Sequence, residues 1–99
     1  MARKLRRSSG NLFRDLEFPA EEAENLRIRS ELMVRLTRVI EGEGLTQAEA
    51  ARLLGVTQPR VSGLMRGKID LFSIDTLVKM LSRMGLRVTV TARDRRRVA

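Results

Sequence analysis

The side chains best suited to chemistry lie between residues 46 and 68. This segment is basic, because Glu49 is its one acidic residue and its cations are Arg52, Arg60, Arg66 and Lys68. Arginine and lysine bind phosphate groups, and arginine and glutamine can each form paired hydrogen bonds to the edge of a base. The segment therefore predicts contact with a nucleic acid.

The composition excludes most catalytic chemistry. The 99-residue chain has no cysteine and no histidine. This removes disulfides, zinc sites built on these residues, thiol catalysis and general-base catalysis by histidine. The sequence has no glycine-rich phosphate loop, and its carboxylates follow a helix face instead of forming a convergent pair. We therefore expect a protein that is not an enzyme and that needs no metal and no cofactor.

The net charge of +8 is concentrated near the two ends of the chain. Residues 1–10 and 93–99 carry most of it, whereas residues 12–31 are acidic. We predict a disordered basic tail at 1–10, one domain at 11–92 and a second basic tail at 93–99. The first tail is either an arm for the minor groove of DNA or only a solubilising end.

Nothing in the sequence argues for secretion or for a membrane. No apolar run follows the basic N-terminal residues, so a signal peptide is not predicted. No stretch approaches the ~20 apolar residues of a membrane span. We expect a cytoplasmic protein with no membrane partner.

The first part of the domain predicts an apolar turn followed by one long helix. Pro19 separates the segment NLFRDLEF from a helix expected from Ala20 to Glu41, with acidic residues in its first turns. The apolar positions of this helix, close to a 3.6-residue repeat, are Leu26, Leu32, Leu36, Val39 and Ile40. The apolar turn either covers the core or contacts a partner through Leu12, Phe13, Leu16 and Phe18.

Three shorter helices follow, and a hydroxyl side chain suited to an N-cap precedes each of them. Thr46, Thr57 and Ser73 precede helices expected over 47–54, 58–66 and 74–84, respectively. Glu49 lies at the capping-box position of the first of these three helices. The last helix should bury Leu77, Met80, Leu81 and Met84.

The spacing of small residues in QAEAARLLGVTQPRVSGLMR predicts that two of these helices cross at short distance. A large side chain at Ala51 would push them apart, and Gly55 lies where the turn between them needs a positive φ. Val61 should point into the core, as should Ala50, Leu54, Val56 and Leu64. This pattern is that of a helix-turn-helix, although a plain helical hairpin is the simpler alternative.

After the last helix, the spacing of apolar residues changes from a helical repeat to strict alternation. Apolar residues Leu86, Val88, Val90 and Ala92 alternate with Arg87, Thr89 and Thr91, which predicts a half-buried strand at 86–92. A single strand needs a partner strand, and the economical one is the same strand of a second copy across a two-fold axis. A strand of a different protein and a disordered tail are the alternatives. The expected fold is mainly α: a compact helical bundle with a helix-turn-helix and one C-terminal strand that pairs across a homodimer.

Residues 45–84 resemble the lambda-repressor/Cro-like, or XRE, family of helix-turn-helix proteins. Over residues 11–92 the chain also resembles antitoxins of HigA type, through NLFRDLEF, EAENLRIRSELM, TQAEAARLLGVTQPRVS, GKIDLFSIDTL and GLRVTV. Proteins of this type are encoded beside a RelE/HigB-like toxin that cleaves mRNA on the ribosome. The resemblance implies a dimer that binds a palindromic operator in double-stranded DNA, represses its own operon and neutralises its cognate toxin.

The resemblance also assigns roles to single residues. Gln47 would contact phosphate, and Thr57 and Gln58 would open the recognition helix, with Gln58 as the first choice for reading adenine. Arg60 would bind guanine or a phosphate, and Ser62 is a weaker candidate. Arg66 and Lys68 would bind phosphate. Pro59 and Gly63 depart from the family, because polar side chains often read bases at these two positions.

Four functions remain open at this stage. The first is the antitoxin, for which the apolar residues of 12–18 and the acids of 15–24 could dock a basic toxin. The second is a stand-alone repressor of the XRE family without a toxin partner. An enzyme or enzyme subunit and a DNA-packaging protein are the other two, and the residues favour them least.

Overall fold

The computed structural model describes residues 19–94. Its helices are α1 (Ala20–Gly42), α2 (Gln47–Leu54), α3 (Gln58–Met65) and α4 (Ile74–Arg83), with a 3₁₀ turn at Ile69–Leu71 between α3 and α4. The mainly helical fold and its order of elements are thus confirmed, and α3 and α4 each end one residue before the expected position. The tail at 1–10, the turn with Leu12, Phe13, Leu16 and Phe18, and most of the tail at 93–99 lie outside the described residues.

The three expected N-caps are present. The Thr46 hydroxyl accepts a hydrogen bond from the backbone N–H of Glu49 at 3.1 Å, and the Thr46 N–H donates to the Glu49 carboxylate at 2.8 Å. These two bonds complete the capping box and lower the pKa of Glu49 below its ordinary value. The Thr57 and Ser73 hydroxyls accept from the third N–H of their own helices. Each cap satisfies a backbone donor that the helix itself leaves unpaired.

The core is built by the C-terminal half of α1, which packs on α4, and by α2 and α3, which pack on each other. Its buried apolar residues are Met33, Leu36, Ile40, Ala50, Ala51, Leu54, Val61, Leu64, Phe72, Leu77, Met80 and Leu81. The largest of the fully buried side chains is Phe72, which the sequence did not single out. Because Phe72 follows the 3₁₀ turn and belongs to no helix, no helical repeat marked it as a core residue.

Only part of the predicted apolar stripe of α1 reaches this core. Leu36 and Ile40 are buried, whereas Leu26, Leu32 and Val39 are half-buried. Every buried residue of α1 lies at Met33 or later, so the acidic first half of the helix extends beyond the core. That half carries a surface network in which Arg27 bridges Glu24 and Glu31 at 2.5 and 2.7 Å.

Gly55 meets two requirements at the end of α2. Its φ of +72° is the left-handed conformation expected for this turn. In addition, the Arg83 guanidinium lies where a side chain would stand, because a Cβ on Gly55 would be 3.1 Å from it. Arg83 also donates from Nε to the Leu53 carbonyl at 3.1 Å. The arginine therefore ties the end of α4 to the end of α2, a contact that the sequence did not reveal.

Residues 86–94 belong to no helix, and the structure assigns no strand within residues 19–94. Leu86 and Val88 are half-buried against the core, but Val90 is 85% exposed. The strand at 86–92 therefore stays a prediction.

No helix within residues 19–94 is both long enough and apolar enough to cross a membrane.

We predict that Ala51→Leu destabilises the domain by ~1–3 kcal/mol, because Ala51 is only 8% exposed between α2 and α3 and a larger side chain would overpack this contact. Thermal unfolding followed by circular dichroism measures the effect. Ala48→Leu, at an exposed site on the same helix, is the matched control and should change stability by no more than about 0.5 kcal/mol. Equal melting of the two variants would contradict the close helix crossing.

Candidate nucleic-acid interface

The predicted DNA-contacting residues lie on the N-terminal ends of α2 and α3 and on the turn that follows α3. The exposed members of this set are Gln47, Thr57, Gln58, Arg60, Arg66 and Lys68, and Ser62 is half-buried. Gln47 is the first residue of α2, and Gln58 is the first residue of α3. We call this set the basic face.

The first turn of α3 is fixed by local chemistry. Thr57 caps it by accepting from the Arg60 N–H at 3.3 Å, and Pro59 stands at a position where a missing N–H costs no hydrogen bond. Further along, Val61, Gly63 and Leu64 are buried. These residues anchor the helix to the core, and Gln58 and Arg60 remain exposed, although two residues apart on a helix they do not face the same way.

Arg60 is held by an aromatic ring of the core. Its guanidinium carbon lies 5.4 Å from the centroid of the Phe72 ring, within the range of a cation–π interaction. Because this contact restricts a flexible side chain, less conformational entropy is lost when Arg60 binds a base or a phosphate. Sequence reasoning missed this role of Phe72, although Phe72 is the only aromatic residue between residues 19 and 94.

Gly63, at the position where the family often carries a base-reading residue, is covered by the side chain of Leu71. The residue is buried, and a Cβ placed on it would lie 2.9 Å from Cδ1 of Leu71. The glycine makes room for the 3₁₀ turn to pack on α3. A side chain at this position would require Leu71 to shift.

The charges on the basic face are available to a ligand. In the part of the chain that the structure describes, Arg60, Arg66 and Lys68 form no salt bridge. The one acid of the segment, Glu49, is engaged in the capping box at the start of α2. Residues 19–94 also contain no group of three or more acidic or other metal-ligating side chains that could hold a metal ion. The arrangement suits the binding of an anionic polymer through phosphate contacts.

Comparison with known proteins places this geometry in a family. The model of the helix-turn-helix domain family matches residues 12–93. A solved structure named provisionally as an XRE-family transcriptional regulator superposes with a TM-score of 0.72 at 33% identity, covering 79% of this chain and 88% of that one. No protein of curated function matches the sequence. The chain belongs to the helix-turn-helix domain family, and its domain is of the XRE type.

The family explains the order of the elements around the site. In a helix-turn-helix, the second helix of the motif enters the major groove of DNA with its N-terminal residues toward the bases, and the first helix crosses the backbone. Here these helices are α3 and α2. Gln58 is the first residue of α3, and Gln47 is the first residue of α2.

We predict that Gln58→Ala weakens binding to a selected duplex by about 5- to 150-fold, the worth of one paired base contact, and weakens binding to random duplex much less. Lys68→Ala is the contrasting variant, because a phosphate contact is lost equally on both duplexes and the slope of log K against log salt falls by about 1. Fluorescence anisotropy at several salt concentrations measures both effects. Equal losses on the two duplexes for Gln58→Ala would mean that Gln58 reads no base.

Proposed function

We propose that this protein is a dimeric, sequence-specific DNA-binding antitoxin that represses its own operon and neutralises a RelE/HigB-like mRNA-cleaving toxin. The observation that carries the DNA-binding half is the basic face, in which the exposed first turn of α3 stands beside cations that have no acidic partner in the described chain. The antitoxin half rests on the resemblance of residues 11–92 to antitoxins of HigA type.

On DNA, α3 would lie in the major groove with its first turn toward the base edges. Gln58 would hydrogen-bond adenine, and Arg60, restrained by the Phe72 ring, would bind guanine or a phosphate. Gln47 and Thr57 would fix the position of the helix on the backbone. Beyond the recognition helix, Arg66 and Lys68 would bind phosphate, and Ser62 has the weakest case because it is half-buried.

Dimerisation would occur through residues 86–92. Leu86 and Val88 pack this segment against the core, while Val90 is almost fully exposed. As a strand, the segment would leave backbone donors and acceptors that a second copy can pair with, and pairing across a two-fold axis would yield two recognition helices for a palindromic operator.

Deletion of residues 90–99 should convert the dimer into a monomer and weaken operator binding. This truncation keeps Leu86 and Val88, which belong to the packing of the domain, and removes the exposed end of the proposed strand. Sedimentation velocity measures the mass, and deletion of residues 95–99 alone is the control that removes charge but keeps the strand. A dimer that survives the longer truncation would contradict strand pairing.

The toxin would be held away from the basic face. Support comes from charge, because the first half of α1 carries acidic residues such as Glu21 and Glu22 beyond the core, and RNA-cleaving toxins of this class are basic. The apolar residues Leu12, Phe13, Leu16 and Phe18 precede this acidic half in the sequence and would supply the apolar part of the contact.

The second candidate is a stand-alone repressor, which the name of the structural neighbour favours. Co-expression with the product of the adjacent gene separates the two. The antitoxin account expects that the adjacent gene encodes a small basic protein that arrests growth when expressed alone, that this chain restores growth, and that the two co-purify. An adjacent product that neither arrests growth nor co-purifies would contradict the antitoxin and leave the repressor.

A further inference from the structure

A shallow apolar depression lies within the basic face. It is lined by Val56, Thr57, Pro59, Arg60 and Leu71, which come from the turn before α3, from its first turn and from the 3₁₀ turn. Leu71 is 44% exposed, so a large part of its apolar side chain faces outward at this depression. Two residues of the depression, Thr57 and Arg60, belong to the set proposed to contact DNA, so the apolar surface is continuous with the polar one.

Leu71 is held firmly in this place. Its backbone N–H donates to the Lys68 carbonyl at 3.1 Å, which closes the 3₁₀ turn. The next residue, Phe72, is 1% exposed in the core. The side chain of Leu71 packs over Gly63, where even one added carbon would come within 2.9 Å of its Cδ1. Leu71 is therefore a fixed apolar feature attached to the recognition helix.

The geometry points to a specific partner for this feature, and we propose that Leu71, together with Pro59, contacts the 5-methyl group of a thymine. The inference rests on the proposed DNA binding and deepens it. The major groove is lined by hydrogen-bonding groups, and the thymine methyl is the apolar group that distinguishes one base there. Leu71 shares its depression with Thr57 and Arg60, two residues proposed to contact DNA, so a thymine methyl would be the apolar group within its reach in the groove.

This inference also gives a role to the loss of polar residues in α3. Pro59 offers no side-chain donor or acceptor, and Gly63 offers no side chain at all. An apolar pair formed by Pro59 and Leu71 would restore sequence discrimination through methyl recognition in place of hydrogen bonds. The preferred site should then contain a thymine at a fixed distance from the base pair read by Gln58.

The test uses the full-length protein and duplexes that it enriches from a random-sequence pool. Each thymine of the enriched duplex is replaced in turn by deoxyuridine, which removes the methyl group and keeps every hydrogen-bonding atom. At one thymine position in each half-site, affinity should fall by about 3- to 5-fold, the effect of exposing one buried methyl group. Leu71→Ala should bind the thymine duplex with a similar loss and should no longer distinguish deoxyuridine from thymine at that position.

Leu53→Ala is the matched control, because Leu53 is exposed to a similar degree (50%) and does not line the depression. It should bind like the unaltered protein and keep the preference for thymine. The deoxyuridine series on the unaltered protein needs no variant, so it tests methyl recognition even if Leu71→Ala folds poorly.

The outcomes separate this inference from the proposed function. Enrichment of a sequence that is indifferent to every deoxyuridine replacement would overturn methyl recognition and leave DNA binding intact. A thymine preference that persists in Leu71→Ala would assign the contact to another residue and would equally overturn the role of Leu71. Absence of any enriched sequence would overturn sequence-specific binding and the methyl contact together.

Discussion

The packing of α2 on α3 is the constraint on which the rest of this structure depends. Ala51 and Val61 are both buried, and Gly55 turns the chain between the two helices with a positive φ. This packing sets the position of α3 relative to α2. The two caps, Thr46 and Thr57, fix those ends without covering them. A larger residue at the crossing would separate the residues that the basic face brings together.

The basic face is in direct contact with the core. Phe72 fills the centre of the domain and also lies under the Arg60 guanidinium, and the adjacent Leu71 packs on α3 over Gly63. On the other side, Arg83 joins the end of α4 to the end of α2. The second half of the long helix α1 packs in this core, and its acidic first half extends beyond the core. Opposite charges thus occupy different parts of one small domain, as two different partners would require.

Features that depend on neighbouring residues in the chain could be predicted from sequence. The caps at Thr46, Thr57 and Ser73 and the turn at Gly55 are such features, since a hydroxyl or a glycine acts on backbone groups a few residues away. The four helices followed from these signals and from apolar periodicity. Gln58 and Arg60 were singled out by the resemblance to the XRE family, and both are exposed.

Contacts between distant parts of the chain could not be predicted. Arg83 meets Leu53 and Gly55 across thirty or so residues, and nothing local marks an arginine at a helix end as a tie between helices. The contact of Leu71 with Gly63 was missed because Leu71 belongs to a 3₁₀ turn too short to leave a periodic signal. The strand at 86–92 is a different case, since its partner would be a second chain and one chain cannot display that pairing.

The most direct test of the central claim is to locate the DNA contact on the protein. The full-length chain, labelled with ¹⁵N, is titrated with an enriched duplex at low salt, and backbone amide shifts are followed by NMR. The largest changes are expected at 46–48, 57–62 and 66–71, on the basic face. Changes concentrated at 20–31, or the absence of changes on α3, would contradict the assignment of α3 as the recognition helix.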